Sequence, residues 1–265
     1  MSSNEQQIIE KYTNGNREDG RAAQSRTSSL EFHYTKKHLA EYIRADARIL
    51  EVGCGTGHYG MYYADKCREY VGIDLVPAHI GFFREKIAAA GLTNVSCRVG
   101  DATDLCGIAD GSFDVVLCLG PVYHLPPEEA ERVFAECRRV CRTGGILAFA
   151  YIAPLGVYAG GCIYDDWRDI YPNEKANEFV LEKGTDDLRP GLFYFATPEE
   201  MEARAQRCGL EKLKNRGTDF LITRKIVDDM SEERFAVMRP LCDAMAESES
   251  CTGMSNHALL VCRKV

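Results

Sequence analysis

Residues 48–60 read RILEVGCGTGHYG, an apolar run broken only by Glu51 that drives straight into glycines at 53, 55, 57 and 60. A short apolar run of this kind reads as a strand buried on both faces. Glycines at that spacing let the backbone turn tightly, bring its N–H groups close to a ligand and point the next helix's positive end at it. A buried strand, a glycine turn and a helix imply a parallel sheet, because the chain must cross back over the sheet to add its next strand.

The following residues repeat that rhythm. Strands are expected at 48–53, 68–75, 94–102, 113–120 and 144–152, separated by helices at 58–67, 77–91 and 126–141. The 126–141 helix opens on Pro126, Pro127, Glu128 and Glu129 and closes on Arg138 and Arg139, as the helix dipole favours. The pattern predicts an α/β fold with a doubly wound, mostly parallel sheet. It lapses over 154–196, which is rich in Gly, Tyr and Asp. A helix returns at 197–209, with Thr197 as N-cap, Pro198 in its first turn and Gly209 at its end. Strands at 210–217 and 256–264 flank a helical stretch at 226–248. Ahead of the sheet, SSLEFHYTKKHLAEYI (28–43) shows a capping box from Ser28 to Glu31. We divide the chain into an N-terminal helical lid segment at 1–45 and a catalytic domain at 46–265, with cap segments inserted at 154–196 and 222–252.

Charge and cysteine content narrow the functions. Thirty-two Lys and Arg against 40 Asp and Glu leave a net charge of −8, a poor match for phosphate backbones, so no nucleic-acid partner is expected. No apolar run reaches membrane-spanning length, so no membrane partner is expected either. The 12 cysteines contain no C-x-x-C pair, and the first residues, MSSNEQQ, lack a signal-peptide core. Free thiols and a cytoplasmic location follow as expectations. Cys137 and Cys141 lie a helical turn apart but read as small packed residues, and Cys118, Cys137 and Cys262 read as buried and scattered.

Two cofactors use such a glycine turn. Gly55, Gly57 and Gly60 fit the dinucleotide pattern G-x-G-x-x-G, with Asp74 downstream. Glu51, Gly53, Gly55 and Gly57 equally fit E-x-G-x-G-x-G. A dinucleotide brings a pyrophosphate anion, which a carboxylate at the turn repels. S-adenosylmethionine brings a sulfonium and an ammonium, which Glu51 attracts. Asp74 at the second strand end suits the ribose of either ligand. Asp101 at the third suits an adenine amino group. Tyr62 and Lys66 make a Y-x-x-x-K, but on the first helix, where it has no dehydrogenase meaning.

EVGCGTG, GIDL, GDAT and FDVVLCLGPVYHL, followed by GGILAFAY, resemble the successive motifs of class I S-adenosylmethionine-dependent methyltransferases. The GPVYHL segment is most similar to a bacterial subgroup with GPLYHL at this place. The subgroup's N-terminal E-x-x-R-L and L-E-x-x-x-T are matched in part by Glu18, Asp19 and Arg21, and by Leu30, Glu31 and Thr35; Ala22 departs from it. Its C-terminal segment is matched by Ser255, His257, Leu259 and Leu260, with Ala258 the departure. The resemblance implies a seven-stranded Rossmann-like sheet with its last strand antiparallel, S-adenosylmethionine as cofactor and S-adenosylhomocysteine as product. The implied cofactor set is Glu51, Gly53, Gly55, Gly57, Asp74, Leu75, Asp101, Ala102 and Leu119, with Tyr12 and Arg21 from the lid. Arg21 would meet the methionine carboxylate.

The acceptor is expected to be a small molecule methylated on O, N or S, by a monomer or homodimer. Tyr123 and His124 follow the fourth strand at the sheet's carboxyl edge and are the catalytic candidates, His124 as general base. Tyr151 and His257 are expected to complete the acceptor pocket, and Thr35, with Tyr12 and Arg21, to be a lid contact to the cofactor. The alternatives are a metalloid methyltransferase, prompted by the cysteines, an NAD-dependent oxidoreductase, and a non-catalytic S-adenosylmethionine-binding module.

Overall fold

The computed structural model describes residues 3–14, 18–163, 169–188, 192–220 and 226–265. Positions 164–168, 189–191 and 222–225 of the two cap segments lie outside the described residues. One seven-stranded sheet organises the chain, made of β1 (Arg48–Val52), β2 (Glu69–Asp74), β3 (Val95–Val99), β4 (Phe113–Cys118), β5 (Cys141–Ile152), β6 (Leu210–Gly217) and β7 (His257–Lys264). Their spatial order is β3-β2-β1-β4-β5-β7-β6. The first five strands pair in parallel, and β7 runs antiparallel to both neighbours. The doubly wound α/β fold with an antiparallel last strand is therefore as expected.

Among the described residues, the α-helices of six residues or more are α1 (Ser3–Asn14), α2 (Arg26–Leu39), α3 (His58–Tyr63), α4 (Pro77–Ala89), α5 (Pro127–Val140), α6 (Pro154–Ile163), α7 (Pro198–Arg207) and α8 (Glu232–Glu247). In α5 the apolar residues Ala130, Val133, Phe134, Cys137 and Val140 share one face and are buried. Phe134 stacks on Phe149 of β5 at 3.7 Å between ring centroids. The opposite face of the sheet is covered in part by α4, whose Phe83 ring occupies space left by glycines on three elements. A Cβ would come within 2.0 Å of that ring at Gly57, 2.3 Å at Gly60 and 2.9 Å at Gly72. Burying a phenylalanine this completely stabilises the fold by about 1.5–3 kcal/mol.

Several local expectations change. Helix α2 is capped by Ser25, whose hydroxyl accepts the Ser28 N–H, so Ser28 is not the cap. Glu31 is consequently not a capping-box partner and turns to Arg21 instead. β5 starts at Cys141, because α5 stops at Val140 and Cys141 already pairs with Phe113. The 154–163 stretch forms a helix despite its weak periodicity. Its glycines serve close packing, with Gly156 against the Ser255 carbonyl and Gly161 against Tyr171. The capping box from Thr197 to Glu200 forms, and Gly209 adopts φ 66° just past α7.

All 12 cysteines are free. Cys118, Cys137 and Cys262 are buried as expected, but Cys118 and Cys137 are in contact rather than scattered. The described part of the 222–252 segment buttresses α2. Leu30 and Tyr34 pack with Val227, Cys242 and Ala246, and the Tyr34 hydroxyl donates to Asp243 at 3.0 Å. Among the described residues, no helix is long and apolar enough to cross a membrane.

Candidate active site

The carboxyl ends of β1, β2 and β4, roofed by α1 and the turn before α2, enclose a cavity of about 350 Å³. Gly53, Gly55 and Gly57 carry φ of 77°, 52° and 86°, a left-handed backbone that glycine adopts without steric cost. Gly53 lies under Pro121, where a Cβ would approach to 2.5 Å, whereas nothing stands within 4 Å of a Cβ at Gly55. Gly55 therefore leaves open space on the cavity wall for a ligand. Gly57 does not line the cavity. Its missing side chain makes room for Phe83, which gives Gly57 a packing role.

The three strand-end acids all face this cavity, with Leu75, Ala102 and Leu119 beside them. Asp74 accepts the Gly55 N–H at 2.8 Å and the Val76 N–H at 2.9 Å, and the His79 ring lies 3.2 Å away. Its carboxylate thus ties the glycine turn to the start of α4 and keeps lone pairs for a ligand. Asp101 accepts the Thr103 N–H at 2.8 Å and its hydroxyl at 2.7 Å. Glu51 is 1% exposed and accepts the Tyr70 hydroxyl at 2.5 Å. Burial pushes its carboxyl up to about 8; the Tyr70 hydrogen bond opposes the rise and the Asp74 charge adds to it.

The N-terminal segment is fastened across the cavity mouth. Asp19 accepts hydrogen bonds from Lys86 and, at 3.2 Å, from the Thr56 hydroxyl, joining the segment to the glycine turn and α4. Arg21 donates twice to Glu31, at 2.8 and 3.0 Å. Tyr12 projects from α1 to the His124 ring, its oxygen 2.8 Å from Nε2. His124 Nδ1 lies 2.9 Å from the Leu192 carbonyl, which can only accept, so Nδ1 carries the proton and Nε2 accepts from the Tyr12 hydroxyl. Burial pushes the His124 imidazolium down to about 4, so the ring is neutral near pH 7.

Tyr123, His124, Phe193 and His257 form the other wall. The Tyr123 ring lies 5.9 Å from His257, and His124 lies 5.0 Å from Phe193, between centroids. His257 Nδ1 stands 3.1 Å from Asp219 and 3.9 Å from Glu31. Burial alone would lower the His257 imidazolium, but Glu31 and Asp219 outweigh it and hold it at about 9. Glu31, Asp219 and His257 converge within 4.8 Å of one another. Arg21 on Glu31, and on Asp219 the His257 backbone N–H at 2.6 Å and its ring at 3.1 Å, already satisfy these carboxylates. Among the described residues no cysteine joins a convergent group of three ligand residues.

Tyr151 is not in this wall. It is buried in the sheet core, where its hydroxyl donates to Asn215 at 2.8 Å, because that position of β5 faces away from the cavity. Thr35 likewise bonds Tyr59 rather than lining the cavity. Asp219 and Phe193 escaped sequence reasoning. Asp219 follows β6 in a short turn without a motif, and Phe193 lies in the aperiodic cap segment.

Residues 49–145 match the family model described as a methyltransferase domain. Methyltransferase GfsG of Streptomyces halstedii is 33% identical over 156 residues, 55% of each chain. Phosphatidylethanolamine N-methyltransferase of Cereibacter sphaeroides is 37% identical over 112 residues, 42% of this chain and 53% of that one. Such matches span about half the length of these curated relatives. A solved structure of an S-adenosylmethionine-dependent methyltransferase from Methanosarcina mazei shares the fold. Its TM-score is 0.59 at 17% identity, over 86% of this chain and 97% of that chain. The family match is thus confined to residues 49–145, within a fold shared with a solved methyltransferase.

Proposed function

We propose that the protein transfers a methyl group from S-adenosylmethionine to an O, N or S nucleophile of a small molecule. The observation that carries this reading is the convergence of Glu51, Asp74 and Asp101 on one cavity beside the open face of Gly55. Acids suit a sulfonium and an ammonium and would repel a pyrophosphate. Asp74 holds the ribose, Asp101 and Ala102 the adenine, and Glu51 the methionine ammonium. Gly53, Leu75 and Leu119 supply the walls, and Arg21 and Tyr12 close over the methionine end. The residues present fit the cofactor, which supplies the electrophilic methyl group.

Displacement at a sulfonium asks the protein chiefly for alignment and a dry site, and alignment alone is worth about 7–11 kcal/mol. Segments 1–45 and 154–196 act as the cover, with Tyr12 and Phe193 as their inward residues. Tyr123 and His124 position the acceptor. Both His124 nitrogens are engaged, so any proton it takes from an acceptor passes through the Tyr12 hydroxyl. The acceptor's hydrogen goes to Tyr12 as the Tyr12 hydrogen moves to His124 Nε2. A neutral His124 held at about 4 makes this a weak base, suited to an acceptor that ionises with little help.

Calorimetry with S-adenosylhomocysteine and with NAD tests the reading. Binding of the first and not of the second is expected; tight NAD binding alone refutes it. Release of S-adenosylhomocysteine on incubation with pooled metabolites then separates an enzyme from a binding module.

A further inference from the structure

Resting on that reading, we infer that the acceptor half of the cavity is an anion subsite, built on His257 and backed by Glu31 and Asp219, and that the methyl acceptor is an aromatic or similarly flat molecule carrying a carboxylate or another localised negative charge. Four charges stand in a row, Arg21, Glu31, His257 and Asp219, joined by contacts of 2.8, 3.9 and 3.1 Å. Their arrangement has a direction. Arg21 and His257 line the cavity, whereas Glu31 and Asp219 do not and are 8% and 6% exposed. Of these four, the cations face the cavity and the acids stand behind them; Glu18, which also lines the cavity, pairs with Arg21 at 3.3 Å at the methionine end.

Asp219 is itself immobilised. It accepts the His257 N–H at 2.6 Å, and its backbone carbonyl accepts the Asn256 N–H at 2.9 Å. The His257 ring is thereby fixed through Nδ1, and its side chain keeps 17% of its surface open. With Nδ1 engaged, Nε2 is the ring nitrogen left to meet a ligand. A donor held this way costs little to reorganise when it meets an anion.

Placement separates this cation from the cofactor's needs. His257 opens β7 and pairs with Ile152 at the end of β5, and two strands, β4 and β5, separate β7 from the glycine turn after β1. Arg21 stacks over Phe32, which in turn packs on His58 at the start of α3, so Arg21 belongs to the methionine end. The wall around His257 is aromatic, made of Tyr123, Phe193 and, across the cavity, Tyr12. Lys11, outside the cavity lining, sits 4.0 Å above the Phe193 ring and is the second cation on that side. The strand-end acids Glu51, Asp74 and Asp101 all lie on the cofactor side. One cavity therefore has an acidic half for a cationic cofactor and a cationic half for an anionic acceptor.

The groups facing His257 are Glu31 from α2, Arg21 from the turn before it, Asp219 and Asn256 beside the ring, and Tyr123 and His124 after β4. The test uses benzoate, benzamide and benzylamine, which share a ring and differ in charge. Each is titrated at pH 7 into protein saturated with S-adenosylhomocysteine. Benzoate should bind about tenfold or more tightly than the other two. His257→Asn, whose amide can still serve Asp219, should abolish that preference while leaving S-adenosylhomocysteine affinity within about threefold. In the unaltered protein the preference should fade above about pH 9, as His257 loses its proton. Equal affinities, a preference for benzylamine, or a benzoate preference surviving both the substitution and high pH overturn the inference. So does a His257→Asn variant that loses S-adenosylhomocysteine binding and keeps the benzoate preference. Failure of the unaltered protein to bind S-adenosylhomocysteine would instead sink the cofactor reading, and the charge preference is then read on the free protein.

Discussion

Glu51→Gln separates what the strand-end acid costs the fold from what it gives the ligand site. The carboxyl is fully enclosed and held at about 8, against an ordinary value of 4.5. A raised acid pKa means the folded chain binds the proton more tightly than the unfolded chain. Stability therefore falls as pH rises from 4.5 to about 8 and is level beyond. At pH 7 the gap of about 2.5 units, at roughly 1.4 kcal/mol each, comes to about 3 kcal/mol of destabilisation. Glutamine keeps an oxygen for the Tyr70 hydroxyl and removes the ionisation, but its buried NH₂ group lacks an assured partner, a cost of about 1–3 kcal/mol. The expected net gain at pH 7 is about 0–2 kcal/mol, or a melting temperature higher by up to about 8 °C for a domain of this size. At pH 5 the gain should vanish or reverse. Thermal melts of both proteins from pH 5 to 9 measure it, and parallel curves across that range refute the reasoning. The same substitution should weaken S-adenosylhomocysteine binding about tenfold or more. Near pH 7 the unaltered protein should release up to one proton as the ligand's ammonium arrives. Calorimetry in buffers of different ionisation enthalpy detects that proton, and the glutamine variant should show none.

Asp74→Ala removes the acceptor for two backbone N–H groups as well as the proposed ribose contact, so cofactor affinity should drop at least tenfold and stability by about 1–3 kcal/mol. Unchanged calorimetric affinity in a folded variant contradicts the assignment. Gly57→Ala places a methyl 2.0 Å from the Phe83 ring at φ 86° and should cost about 3 kcal/mol or more in urea unfolding. Trimming Phe83 to Leu should restore part of that loss. Tyr12→Phe removes the hydroxyl that reaches His124, and hydrogen exchange in α1 should then become faster while the sheet stays protected. S-adenosylhomocysteine should slow α1 exchange in the unaltered protein, and equal exchange with and without it argues against the cover role.

The sheet was legible because each of its signals was local. RILEVG, REYVGIDL and FDVVLCLG announce buried strands by apolar continuity, and the 126–141 helix announces itself by its charge polarity and one apolar face. What the sequence hid depends on contacts between distant residues. Helix α1 has a polar sequence, and among its described side chains only Ile8 and Tyr12 line the cavity. Gly57 and Gly60 look like ligand glycines until Phe83, more than twenty positions on, is found beneath them. Tyr151 sits at the end of a cavity-facing strand, yet side chains alternate along β5 and its own points into the core. The Glu31–His257–Asp219 group joins residues from three separate stretches, and no spacing pattern records it.

The ring of Phe83 also limits how this protein can change. Changing which cofactor a glycine turn accepts ordinarily means editing the turn itself, one residue at a time. Here Gly57, Gly60 and Gly72 each border the same ring, so a side chain added at any of them collides with α4 before it affects a ligand. Such an edit becomes tolerable only after Phe83 has shrunk, and shrinking it first opens a void that no neighbouring substitution yet fills. The route to a new ligand therefore crosses a stability valley in either order. Gly55, which borders nothing, is the one spacious position in the turn, although its left-handed backbone still restricts what can replace it. Selection for altered chemistry is channelled away from the turn and toward the walls beyond β4 and β5, where Tyr123, Phe193 and His257 can be exchanged without disturbing α4.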